Sequence, residues 1–75
     1  MSKPQIDRIE IHKHLFLEDF CAQIFLVGES QAVARIDGMK ITHKSTMASR
    51  LAGVNEVLAR PTLQALMRHP QAVVM

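Results

Sequence analysis

The chain has one cysteine, no tryptophan and no tyrosine. A lone thiol excludes an internal disulfide framework and fits a reducing compartment. Cys21 lies in the apolar stretch Phe20-Cys21-Ala22 and reads as a buried, inert thiol. Three glycines, scattered, build no phosphate-cradling loop or dinucleotide fingerprint. No nucleophile elbow and no paired-cysteine metal spacing occur. His12 and His14 would share a strand face, but no other ligand spacing joins them to His43 or His69. The expectation is no enzyme, no cofactor and no metal. No apolar run approaches the roughly 20 residues of a membrane helix. The polar start, Met1 to Gln5, leads into no signal-type core. The expected setting is cytoplasmic and away from membranes.

What is present is aliphatic. Hydrophobic residues make up 48% of 75 residues, with only three Phe. That length suits one domain, with residues 1–5 as a flexible N-terminus and 70–75 as a tail. A domain so small leaves much surface exposed. Burying this much apolar material calls for a dense core or for a second subunit, and a homodimer is expected.

Charge divides along the chain. Residues 38–75 carry five basic side chains (Lys40, Lys44, Arg50, Arg60 and Arg68) and one acid, Glu56, a net of +4. Residues 1–37 carry four basic and six acidic residues, a net of −2. A one-sided excess of this kind is an electrostatic footprint for a nucleic acid or an acidic protein.

The first half reads as sheet. Ile9 and Ile11 alternate with Arg8, Glu10 and His12, which predicts a half-buried strand over 6–13, and Leu15-Phe16-Leu17 could extend it. Residues 20–27 read as a buried strand; a helix through Phe16, Phe20, Ile24 and Val27 is the competing reading. Asp37-Gly38 between apolar strand formers predicts a hairpin with strands at 32–36 and 39–43.

The last third changes period. Met47, Leu51, Val54 and Leu58 fall on one helical face, with Ser45 or Thr46 as the cap. Pro61 ends that helix and opens a second one presenting Leu63, Leu66 and Met67. The fold class is therefore a small α+β domain. A meander of three to four strands over about 6–43 precedes helices at about 45–59 and 61–68. Ile9, Ile11, Ile24, Leu26, Ile36 and Ile41, with the helical positions just named, form the expected core or dimer interface.

Ser30 to Met39, followed by Lys44 to Leu51, resembles the helix-turn-helix of small bacterial and phage repressors. Ala34 and Gly38 take its small-residue and glycine positions, and Ser45, Thr46, Ser49 and Arg50 its recognition-helix positions. The connection is longer than that family's, and Asp37 stands where it has an aliphatic residue. Arg60-Pro61-Thr62-Leu63 is similar to the start of another such recognition helix. The resemblance implies duplex DNA as partner.

Two functions are expected from these features. One is a nucleic-acid-binding regulator in which Lys40, Lys44, Arg50, Arg60 and Arg68 meet phosphates. The other is a protein-binding inhibitor or adaptor of phage or plasmid type. Its contact would be the small, nearly neutral helix face Ser45, Ser49, Ala52 and Glu56, expected to point outward.

Overall fold

The computed structural model describes residues 3–13 and 20–75. In chain order these form β1 (Ile6–Lys13), β2 (Phe20–Leu26), β3 (Ala34–Asp37), β4 (Lys40–His43), α1 (Met47–Leu51), α2 (Val54–Ala59), α3 (Leu63–Met67) and β5 (Ala72–Val74). The fold is small α+β: one five-stranded, mostly antiparallel sheet in the order β4-β3-β2-β1-β5, with three short helices on one face. The possible extension of β1 through Leu15-Phe16-Leu17, and His14, lie outside the described residues.

β1 and β2 pair with Ile9 opposite Ile24 and Ile11 opposite Ala22. These four are fully buried and form the floor under the helices. The ladder shifts register between Ile6 and Arg8. That bulge puts an extra residue in β1, so Ile6 turns to the same side as Ile9 and Ile11 despite the odd spacing. β2 is strand rather than helix because it is an inner strand, with β1 on one side and β3 on the other. Phe20, Ala22, Ile24 and Leu26 point into the core, while Cys21, Gln23 and Phe25 alternate to the open face.

The hairpin forms one residue later than the sequence predicts. Asp37 pairs with Lys40, so Gly38 and Met39 are the central turn residues, not Asp37 and Gly38. Gly38 has φ +62°, and among the described residues only glycines take a positive φ. Glycine at the first central position is what a type II′ turn demands. This register sets Ile36 opposite Ile41. It also replaces the supporting helix of the first helix-turn-helix reading, Ser30 to Met39, with β3 and the hairpin turn.

The predicted helix 45–59 is two helices. Gly53, at φ +87°, breaks the chain between α1 and α2. The Met47-Leu51-Val54-Leu58 stripe presumes one continuous helix, and the break lets α1 roll. Met47 and Leu51 therefore stay 68% and 59% exposed, while Val54 is buried. Ala48 and Ala52 pack on the core instead, with Ser49 buried between them. Small side chains bring α1 close to the sheet. Ile41 and Met67, also expected in the core, are exposed.

Ser49 is fully buried and its hydrogen bonding is complete. Its Oγ donates to Thr46 O at 2.9 Å and accepts from Thr46 N–H at 3.0 Å. The hydroxyl proton is then committed, so His43 Nε2, at 3.2 Å, must be the donor to Ser49 Oγ. Thr46 Oγ1 in return accepts from Ser49 N–H at 3.1 Å. This capping box ties α1 to β4.

The tail docks on its own sheet. β5 lies parallel to β1, with Glu10 opposite Val73. β4 and β5 are the two edges, so the intervening chain must cross about 19 Å of sheet, four strand spacings. The three helices make that crossing, and Val54 and Leu66 seal the core on the way.

Candidate partner-binding groove

Four of the nine residues singled out from the sequence meet in one groove. Ala52, Glu56, Arg60 and Arg68 line a depression of about 420 Å³ between α2 and α3. Lys40, Lys44, Ser45 and Arg50 are exposed elsewhere, on β4, the loop after it and α1. Ser49 corrects the expected outward face: it is 0% exposed, because α1 is rolled about its axis. Ala52 is half-buried, and of that face Ser45 and Glu56 are exposed.

The groove follows from two helix ends. Arg60 leaves the helical region at φ −132°, ψ 74°, as the residue before a proline must. Thr62 then starts α3 by accepting from Ala65 N–H at 3.2 Å. Arg68 closes α3, its N–H donating to Gln64 O and Ala65 O. Both arginines thus stand at C-terminal helix ends, where the backbone carbonyls favour a cation. Val57, Ala65 and the buried Leu66 make the apolar floor.

The groove is lined by two arginines and one acid, Glu56. Among the described residues, neither Arg60 nor Arg68 forms an ion pair. The Glu56 carboxylate folds back beside Gly53, where its Oε2 would lie 3.6 Å from an added Cβ. His69 completes the rim, and its Nδ1 accepts from Gln71 N–H at 3.1 Å. The neutral ring then carries its proton on Nε2, which is a further donor. The sequence reading missed His69, Val57 and Ala65. The available signal was Pro61, which forces two helices to meet at an angle.

The open sheet face is different. Arg8 lies 4.0 Å over the Phe25 ring and pairs with both Asp7 and Glu10. Arg35 sits 3.8 Å from Asp37. These cations are already neutralised locally. His12, Cys21 and Asp37 line up across three strands. That row is no nucleophile: the Cys21 thiol donates to Asp37 Oδ1 at 3.1 Å. The hydrogen bond to Asp37, then burial and the carboxylate charge, hold the thiol pKa above its ordinary value, and Arg35 opposes them. Cys21 is half-buried on this face, not in the core as expected. Replacing Asp37 by Asn removes the raising charge. Alkylation of Cys21 by iodoacetamide should then speed up at neutral pH, its rate profile moving to lower pH. An unchanged profile would show that Asp37 does not hold the thiol proton.

Among the described residues, no cluster of three or more His, Cys, Asp and Glu is placed to hold a metal ion. No described helix is long and apolar enough to cross a membrane. Set against known proteins, the chain matches no family model, no curated protein and no solved structure.

Proposed function

We propose that this chain is a non-enzymatic binding protein that takes an acidic segment of a partner protein into the groove between α2 and α3. The observation that carries this reading is the pair Arg60 and Arg68, without ion-pair partners among the described residues, beside an apolar floor. Such a groove fits a peptide with an apolar side chain between carboxylates. The apolar part gains from burial, and the carboxylates meet the guanidiniums. The result is a stoichiometric complex, as an inhibitor or adaptor forms.

Helix length weighs against duplex reading. α3 has five residues, about 7.5 Å of axis, against a major groove about 12 Å wide. So short an element presents few side chains to base edges. The five basic residues also divide between the groove and the β4–α1 side, rather than forming one stripe.

Fluorescence anisotropy with a labelled peptide of alternating Glu and Leu tests the reading. Charge reversal of both groove arginines (R60E with R68E) should weaken binding about tenfold or more, equal to about 1.4 kcal/mol. Reversal of Lys40 and Lys44, outside the groove, should change it little. Salt-sensitive binding to short duplex DNA with no peptide binding would overturn the proposal and return the basic residues to phosphate contact.

A further inference from the structure

Taking the groove proposed above as the binding site, we infer that it receives residues 14–19 of a second copy of this chain, in a two-fold pair where each copy gives its segment to the other. Residues 14–19 lie outside the described residues and join β1 to β2; their sequence is His14-Leu15-Phe16-Leu17-Glu18-Asp19. An apolar run followed by two carboxylates is what an apolar floor beside two arginines calls for. Glu18-Asp19 is the only pair of adjacent acids in the sequence. Asp7, Glu10 and Asp37 already pair with Arg8 or Arg35. Glu56 lines the groove itself, and Glu29, between Gly28 and Ser30, adjoins no apolar side chain in sequence.

Covalent reach selects a second copy over the chain's own segment. Lys13 and Phe20, which bound the segment, face each other at one end of the β1–β2 ladder. With both ends fixed there, no backbone atom of the segment leaves that end by more than about 10 Å. His69, on the groove rim, is tied to another level of the sheet: its carbonyl accepts from Ala72 N–H at 3.0 Å, and Ala72 pairs with Ile9. Ile9 lies about 13 Å along the strand from Lys13, before the rise from sheet to helices is counted. A second copy has no such tether. Turned about a two-fold axis, it makes the contact twice, once in each groove. Charge has the same sense: the half of the chain with net −2 meets the half with net +4.

The groove has the size for such a segment. Its volume of about 420 Å³ falls toward the lower end of ligand-sized clefts, about 300–1,000 Å³. Val57 and Leu66 on the floor meet the apolar run, and Arg60 and Arg68 meet Glu18 and Asp19 of the second copy. A phenylalanine buries about 150–250 Å², so Phe16, counted once in each groove, supplies much of the apolar contact. Two contacts of this kind are modest beside a standard interface of about 800 Å² on each partner. The pair should therefore form and dissociate with concentration.

Sedimentation velocity over a concentration series tests the pair. The wild-type chain should pass from monomer to dimer as concentration rises. Glu18→Lys with Asp19→Lys should weaken the dimer about tenfold or more, and so should Arg60→Glu with Arg68→Glu. All four substitutions together should restore it, because the exchanged charges are again opposite. Recovery in the fourfold variant also shows that neither reversal acts by unfolding the chain. The E18K, D19K chain, its groove open, should bind a labelled peptide of residues 13–20 in fluorescence anisotropy. A wild-type chain that stays monomeric overturns the inference. So does a dimer that the two reversals leave intact, or one that the fourfold exchange does not restore. If the E18K, D19K chain binds the alternating Glu and Leu peptide but not the 13–20 peptide, the groove takes acidic segments other than this one, and only the inference falls. Binding of neither peptide overturns the groove as well.

Discussion

Replacing Ile24 with alanine is expected to remove a large part of the domain's stability. Ile24 is fully buried on an inner strand, opposite Ile9 on one side and Ala34 on the other. It faces the helices, where Val54 and Leu66 close over the sheet. Removing its branched side chain loses the transfer free energy and leaves a cavity, a cost of about 2–5 kcal/mol. A chain of this length has about 4–11 kcal/mol of stability in total. The substitution therefore takes a large part of the margin. Urea unfolding should show a much lower midpoint at an unchanged slope, because the surface exposed on unfolding is nearly the same. Ile24→Val should cost about 0.5–1.5 kcal/mol. Val27→Ala, just beyond the strand at an exposed site, should fall within about 0.5 kcal/mol of wild type. A small effect at Ile24 would mean that the helices do not close over β2.

Ser49→Ala should be costly for a polar reason. The hydroxyl is the hub of three contacts: it donates to Thr46 O, accepts from Thr46 N–H, and lies 3.2 Å from His43 Nε2. Deleting it leaves a backbone donor and a ring donor short of an acceptor, at about 1–3 kcal/mol for an unsatisfied buried group. The half-buried position of His43 lets water reach one side, so a net loss of about 2 kcal/mol is expected. For a domain of this size that lowers Tm by about 8–16 °C. Thr46→Ala, which removes the reciprocal acceptor, should cost about 1 kcal/mol. The double substitution should cost less than the sum, because the two side chains act as one box. Full additivity in a thermal melt would show that they act independently.

The sheet was legible in the chain because strand formation leaves a local trace. Alternation of Ile9 and Ile11 with polar neighbours defines one buried face, and β1 spans Ile6–Lys13 as the pattern predicts. β2 follows from an apolar run too short for a packed helix, and the hairpin from Asp37-Gly38. The bulge beside Asp7 and the one-residue shift of the turn were not legible. The bulge brings Ile6 onto the buried face of Ile9 and Ile11, and the turn places Gly38 at its first central position; both are set by pairing between strands rather than within one.

The helices show the opposite case. A stripe at i, i+4, i+7 and i+11 has meaning only along an unbroken axis, and Gly53 breaks it. The chain buried Ala48, Ser49 and Ala52 in place of Met47 and Leu51, because small side chains allow close approach to the sheet and the capping box satisfies the one buried hydroxyl. The groove was half legible. Arg60 and Arg68 stood out as charges, but their meeting on one apolar floor depends on the turn at Pro61 and on how α2 and α3 pack.

By itself, then, the sequence determined the α+β class, the antiparallel meander and the excess of positive charge in the second half. These depend on periodicity, turn chemistry and composition, which act over a few residues. Tertiary structure decided the rolled α1, the docking of β5 beside β1 and the gathering of two of the five basic residues into a groove. Those outcomes depend on which surfaces exclude water together, and only the folded chain makes that choice.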